Sequence, residues 1–149
     1  LRPEGGNAWL PPARGIEEPF FVFESRTLPD VRYSLKVIVR DSDGNTEGEA
    51  LIIEREVPLF TVDNTPPSVT EKAMTNASIT VALSDDDAVR AARYCVDGRA
   101  WSPVTVAAGT FGSKTVTIEI PLSGKGPRWV ALEAGDLHGN RAVKGWLLP

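Results

Sequence analysis

Apolar and polar residues alternate one by one through much of this chain. Ile79, Val81 and Leu83 do so in SITVALS, Val116, Ile118 and Ile120 in KTVTIEI, and Val130, Leu132 and Ala134 in WVALEAG. Successive side chains of a strand point to opposite faces, so a period of two predicts strands with one face buried. The stretches between them read as turns. VDGR at 96–99, AGTFGS at 108–113 and SGKGP at 123–127 each place glycine where a tight reversal is cheapest. Strands at this spacing, with no helical period between them, predict an antiparallel two-sheet sandwich.

The first part of the chain has the same rhythm. Tyr33, Leu35, Val37 and Val39 alternate in VRYSLKVIVRD, a polar loop DSDGN follows, and ALIIERE and PLFTV run back. FTVDNTPPSV at 60–69 then interrupts the pattern. Its prolines, Pro66 and Pro67, fit neither a helix interior nor a central strand, so the segment reads as a joint between modules at 1–65 and 66–149. Two adjacent prolines also fix φ and bias Thr65 towards an extended backbone, which predicts a stiff strap.

The halves can be laid over one another. Placing Asn45 on Asn140, an offset of 95, sets Asp41 on Asp136 and Leu35, Val37 and Val39 on Val130, Leu132 and Ala134. Farther back, NAWLPP lies over RAWSPV with Trp9 on Trp101, an offset of 92, and a shared role for these tryptophans in packing against the hairpin. The overlay leaves a deficit. Residues 66 to about 98 carry two strands ahead of Trp101, whereas only eight residues precede Trp9. Module one is therefore expected to lack its first strands, which either upstream parts of the same parent chain or another chain would supply. A start at Leu1 without methionine fits a fragment or a processed product.

Composition narrows the function classes. With 149 residues, of which 42% are hydrophobic, the chain can bury a core, and 13 Gly and 12 Pro favour turns between short strands. A formal net charge of −4 with scattered Lys and Arg offers no basic stripe for nucleic acid. No stretch approaches the roughly 18 apolar residues of a membrane span. One cysteine, Cys95, excludes an intrachain disulfide and a thiolate metal site, and on an alternating strand it reads as a small buried hydrophobe.

YSLKVIVRDSDGN, PLFTVDNTPPSV, and ARYCVDGRAWSPV followed by WVALEAGDLHGN together resemble the tandem immunoglobulin-like or fibronectin type III-like modules of bacterial secreted proteins. The likeness is to the sandwich pair that follows a β-propeller, and it covers the chain from about Glu18 onward. It implies an extracellular, periplasmic or cell-surface setting, and a role in spacing, adhesion or assembly.

No catalytic constellation emerges, and no cofactor is called for. His138 is the single histidine and sits on a turn, so neither a histidine metal cluster nor an oriented triad follows. GKGP at 124–127 lacks the ending of a phosphate-binding loop and reads as a hairpin turn. Asp41 to Asn45 and Asp136 to Asn140 read as turns in which aspartate accepts backbone N–H groups. The aspartates also suggest an ion. SDDDA at 84–88 and GDLHGN at 135–140 fall in loops which, in an immunoglobulin-like topology, lie at the same end as the joint, so Asp63, Asp85, Asp87 and Asp136 would converge on Ca²⁺. DSDGN lacks the length and terminal glutamate of an EF-hand loop. Trp129 alternates out of phase with Val130 and Leu132, so its indole is a candidate contact for a glycan or a protein.

The sequence therefore predicts an all-β chain, an antiparallel immunoglobulin or fibronectin III-like β-sandwich with one complete module preceded by a partial one. The predicted function is a non-catalytic structural or interaction region of a larger extracellular bacterial protein. The alternatives are a carbohydrate-binding module and a subunit of an extracellular assembly completed by another chain.

Overall fold

The computed structural model describes every residue except 42–44, 47–48, 125 and 127. The chain is all-β, with helical structure among the described residues confined to a three-residue 3-10 turn at Ser25–Thr27. Among the described residues no helix is long and apolar enough to cross a membrane. The chain divides into two compact units, Leu1–Asn64 and Thr65–Pro149.

The first unit contains strands β1 (Arg2–Pro3), β2 (Arg32–Arg40) and β3 (Ile52–Thr61) in one antiparallel sheet, in that order. ALIIERE and PLFTV form a single strand with Pro58 inside it. Proline is tolerated because β3 lies at the edge of the sheet. The register shifts here as well: Tyr33 opposes Phe60 and Leu35 opposes Val57, which leaves Pro58 and Leu59 bulged. A small core forms at one end, where Leu1, Tyr33 and Val62 are buried and Phe23, Leu28, Leu35 and Phe60 pack against them. The Tyr33 hydroxyl donates to the Pro29 carbonyl at 3.2 Å, so burial of the phenol leaves no polar group stranded.

Among its described residues the second unit holds eight strands: β4 (Ser68–Met74), β5 (Ser78–Ser84), β6 (Val89–Val96), β7 (Ser102–Pro103), β8 (Thr105–Gly109), β9 (Thr115–Pro121), β10 (Arg128–Asp136) and β11 (Arg141–Leu148). They form two four-stranded antiparallel sheets, β11-β10-β6-β7 and β4-β5-β9-β8. The inward positions are those that the alternation marks. Ile79, Val81 and Leu83 from β5, Ile118 and Ile120 from β9, and Val130, Leu132 and Ala134 from β10 have no exposed surface, and with their neighbours they make one core between the sheets. Burying each larger aliphatic side chain is worth roughly 1.5–3 kcal/mol, so this face-to-face layer is the main source of stability. Three strands, not two, precede Trp101. The third is β6, whose VRAARYCV shows little alternation because it buries only Val89 and Cys95 fully. Cys95 is a buried free thiol.

The VDGR turn closes β6 onto the short β7. Asp97 and Gly98 have φ of 52° and 69°, and the Arg99 N–H donates to the Val96 carbonyl at 3.1 Å. Positive φ at both central residues is the primed geometry whose twist matches antiparallel strands, and aspartate followed by glycine is the pair best suited to it.

Candidate functional site

The loop from β5 to β6 begins at Asp85. Its Oδ1 accepts the backbone N–H groups of Asp87 and Ala88, both at 3.0 Å, so the side chain stands in for a backbone turn. The loop from β10 to β11 is organised in the same way by Asp136. There Oδ1 accepts the Asn140 N–H and Oδ2 accepts the Asn140 amide, both at 2.8 Å. Asp136 is buried, and a buried carboxylate holds its place only when its lone pairs are taken. Gly139, at φ 91°, supplies the left-handed step that lets four residues reverse the chain. The first-unit counterpart, Asp41, accepts the Leu51 N–H at 2.6 Å and takes the Asn45 amide on its carbonyl at 2.8 Å. The central part of that turn, 42–44, lies outside the described residues.

The two second-unit loops meet. His138 Nε2 lies 2.9 Å from Asp87 Oδ2, a contact between residues 51 apart in sequence. Within this unit an oxygen of Asp85 lies within 4.8 Å of one of Asp136, an acidic pair of the kind that could contribute to a metal site. Asp87, the fourth aspartate expected at such a site, instead faces the imidazole. Like charges this close repel one another, and a bound cation would reverse that term.

Trp129 is 46% exposed, as the alternation predicts for its face. Its backbone N–H donates to Asp97 Oδ1 at 2.9 Å. Its ring lies against Gly145, where an added Cβ would come within 3.2 Å of the indole nitrogen. Trp9 and Trp101 both take a cation on the ring. Arg2 and Lys36 sit 4.6 Å and 4.9 Å from the Trp9 centroid, and Arg93 sits 4.7 Å from that of Trp101.

Sequence reasoning missed two groups. One is a brace across β6, β10 and β11, where Glu133 accepts two bonds from Arg93, at 3.0 and 3.1 Å, and one from Arg141 at 3.1 Å. The Arg93 hydrogen bond, helped by the charges of Arg93 and Arg141, holds the Glu133 carboxyl below its ordinary value despite some desolvation. The other lies on the margin of the sandwich, where Trp146 Nε1 donates to Glu71 Oε2 at 2.6 Å and Lys144 Nζ donates to the Val69 carbonyl at 3.2 Å. Charges facing across strands signal the first group. Nothing local signals the second, since its members lie 75 residues apart.

The first unit offers a different surface. An open hollow of about 440 Å³ beside Leu1, Leu10, Phe21 and Leu28 is largely apolar. Val37, Val39, Ile53 and Val57 lie on one face of the β2–β3 sheet and are 42–58% exposed. No protein-family model, curated protein or solved structure matches this chain.

Proposed function

We propose that this chain is a non-catalytic structural and interaction region of a larger extracellular or cell-surface protein, built from immunoglobulin-like or fibronectin type III-like modules. One observation carries the reading: a closed sandwich and an open sheet share one hairpin plan. Leu35–Val57, Val37–Arg55 and Val39–Ile53 pair across β2 and β3 in the spacing of Val130–Trp146, Leu132–Lys144 and Ala134–Ala142 across β10 and β11. Val130, Leu132 and Ala134 have no exposed surface, whereas Val37 and Val39 are 45% and 58% exposed. An uncovered apolar sheet face is a place for a protein contact. Upstream parts of the parent chain or another chain are the partners that this reading implies.

The same reading assigns the second-unit pair Asp85 and Asp136 to Ca²⁺, which prefers oxygen ligands. The exposed Trp129 carries the carbohydrate-binding alternative. A glycan array run beside solution sizing separates these classes. Absence of glycan retention and of a defined oligomer supports the structural reading. Retention that disappears in Trp129→Ala would replace it with a carbohydrate-binding module, and a closed oligomer with an assembly subunit.

A further inference from the structure

Resting on that reading of the first unit, we propose that the unit is an acceptor for one β-strand donated by a partner polypeptide. The donated strand carries branched aliphatic residues at alternate positions and a carboxylate at one end. Three observations converge on this occupant.

The first is the apolar face itself. Val37, Val39, Ile53 and Val57 share one side of the β2–β3 sheet with Arg55, while the opposite side is more polar and carries, beside exposed Ile38 and Ile52, the ion pairs of Lys36 with Glu54 at 3.3 Å and Arg2 with Glu56 at 2.9 Å. The equivalent hairpin of the second unit shows what such a face receives. Its inward residues pack on β5 and β9, strands of alternating Ile, Val and Leu.

The second is a segment with strand-forming composition that is not in a strand. Residues 20–23 (FFVF) occupy the stretch between tryptophan and hairpin that β9 occupies in the second unit. There, β9 is hydrogen-bonded along β5, from Ser78–Pro121 to Ser84–Thr115. Here Phe20 and Val22 are exposed, and among the described residues neither is paired in a sheet. Aromatic and β-branched residues become strands when a neighbour supplies the ladder, so the missing element is a β5-like strand.

The third is charge. Arg55 takes the place in its hairpin that Lys144 takes in the other. Lys144 spends its ammonium on the Val69 carbonyl of the covering sheet, and Glu71 of the same strand accepts the Trp146 indole. Among the described residues Arg55 donates to the carbonyl of its neighbour Glu54, at 3.2 Å, and it is exposed. Because β3 is the edge strand, this cation lies at the lateral margin of the apolar face and selects a strand that brings a carboxylate to that margin. It also disfavours a second copy of this sheet, since face-to-face or edge-to-edge pairing in register brings Arg55 against Arg55 or Glu54 against Glu56.

The probe is a synthetic peptide of residues 76–86, NASITVALSDD, added to the full chain and followed by hydrogen exchange. The peptide should slow exchange in 20–24, β2 and β3 by about tenfold or more, with no change in the second unit. Val37→Asp should abolish the protection. Arg55→Glu should weaken it, and a peptide with both terminal aspartates replaced by lysine should restore it to that variant. Lack of protection at saturating peptide, protection indifferent to both variants, or a chain that buries this face by dimerising on its own would overturn strand donation. A hydrophobic dye separates the levels of failure. Dye bound to a chain that ignores the peptide defeats strand donation alone, whereas a chain that excludes the dye defeats the reading of an open face beneath it.

Discussion

Trp146 and Glu71 join the two sheets of the second unit across its margin, the indole N–H of β11 meeting a carboxylate of β4 at 2.6 Å. Trp146→Phe keeps the ring in the core but loses the donor, and should cost roughly 1.5 kcal/mol, the range for a hydrogen bond to a charged acceptor. Glu71→Gln retains an acceptor and should cost less. Urea unfolding of both variants, read by exchange of second-unit amides, measures the order. Equal losses would mean that a neutral acceptor contributes nothing and that the carboxylate charge carries the whole bond.

The Asp97 turn tests backbone and side chain separately. Asp97 holds φ at 52° and accepts the Trp129 N–H. Asp97→Ala loses the bond and keeps the strained φ, so a loss of about 1–2 kcal/mol follows. Asp97→Gly relieves the backbone and should fall between the wild type and the alanine variant. A glycine variant less stable than the alanine variant in thermal melts would contradict this.

Glu133 gives the second unit a pH dependence of known sign. Its folded pKa lies below the ordinary 4.5, so the unfolded chain binds more protons between the two values and stability rises with pH there. The contribution is complete above about 4.5 and is lost as pH falls through the folded value. Since Arg93 and Arg141 are about half exposed or more, solvent screening limits it to roughly 1 kcal/mol or less. Stability profiles of the wild type and Arg93→Ala should converge at low pH and separate as pH rises.

Calcium should stabilise the chain, by roughly 2.7 kcal/mol at a hundredfold excess over its dissociation constant. Asp85→Asn is the clean test, because the amide oxygen can still accept the Asp87 and Ala88 N–H groups while one charge is gone. The variant should fold normally and lose most of the gain. Melting temperatures that agree in EDTA and in millimolar calcium would leave these aspartates with turn-forming roles only.

The legible part of the fold is the part in which one strand decides its own pattern. Alternation in β5, β9 and β10 marks their inward residues because both neighbours are strands and one whole face is covered. It fails in β4 and β6. β4 is an edge strand whose register shifts between Glu71 and Ala73, and β6 keeps Arg90 and Arg93 on its solvent side among small alanines. The site divides in the same way. Asp85 and Asp136 are legible as turn formers because their partners lie within four residues. The contacts of His138 with Asp87 and of Trp146 with Glu71 depend on loop and strand placement, which no local spacing encodes.

Gly145 and Trp129 amount to a single evolutionary choice. Because an added Cβ at 145 would come within 3.2 Å of the indole nitrogen, any larger residue at 145 requires the Trp129 ring to give way by a few tenths of an ångström, and a smaller residue at 129 removes that demand. Sequences that share this hairpin should therefore show the two positions exchanging bulk, so that a swapped pair restores what either change alone disrupts.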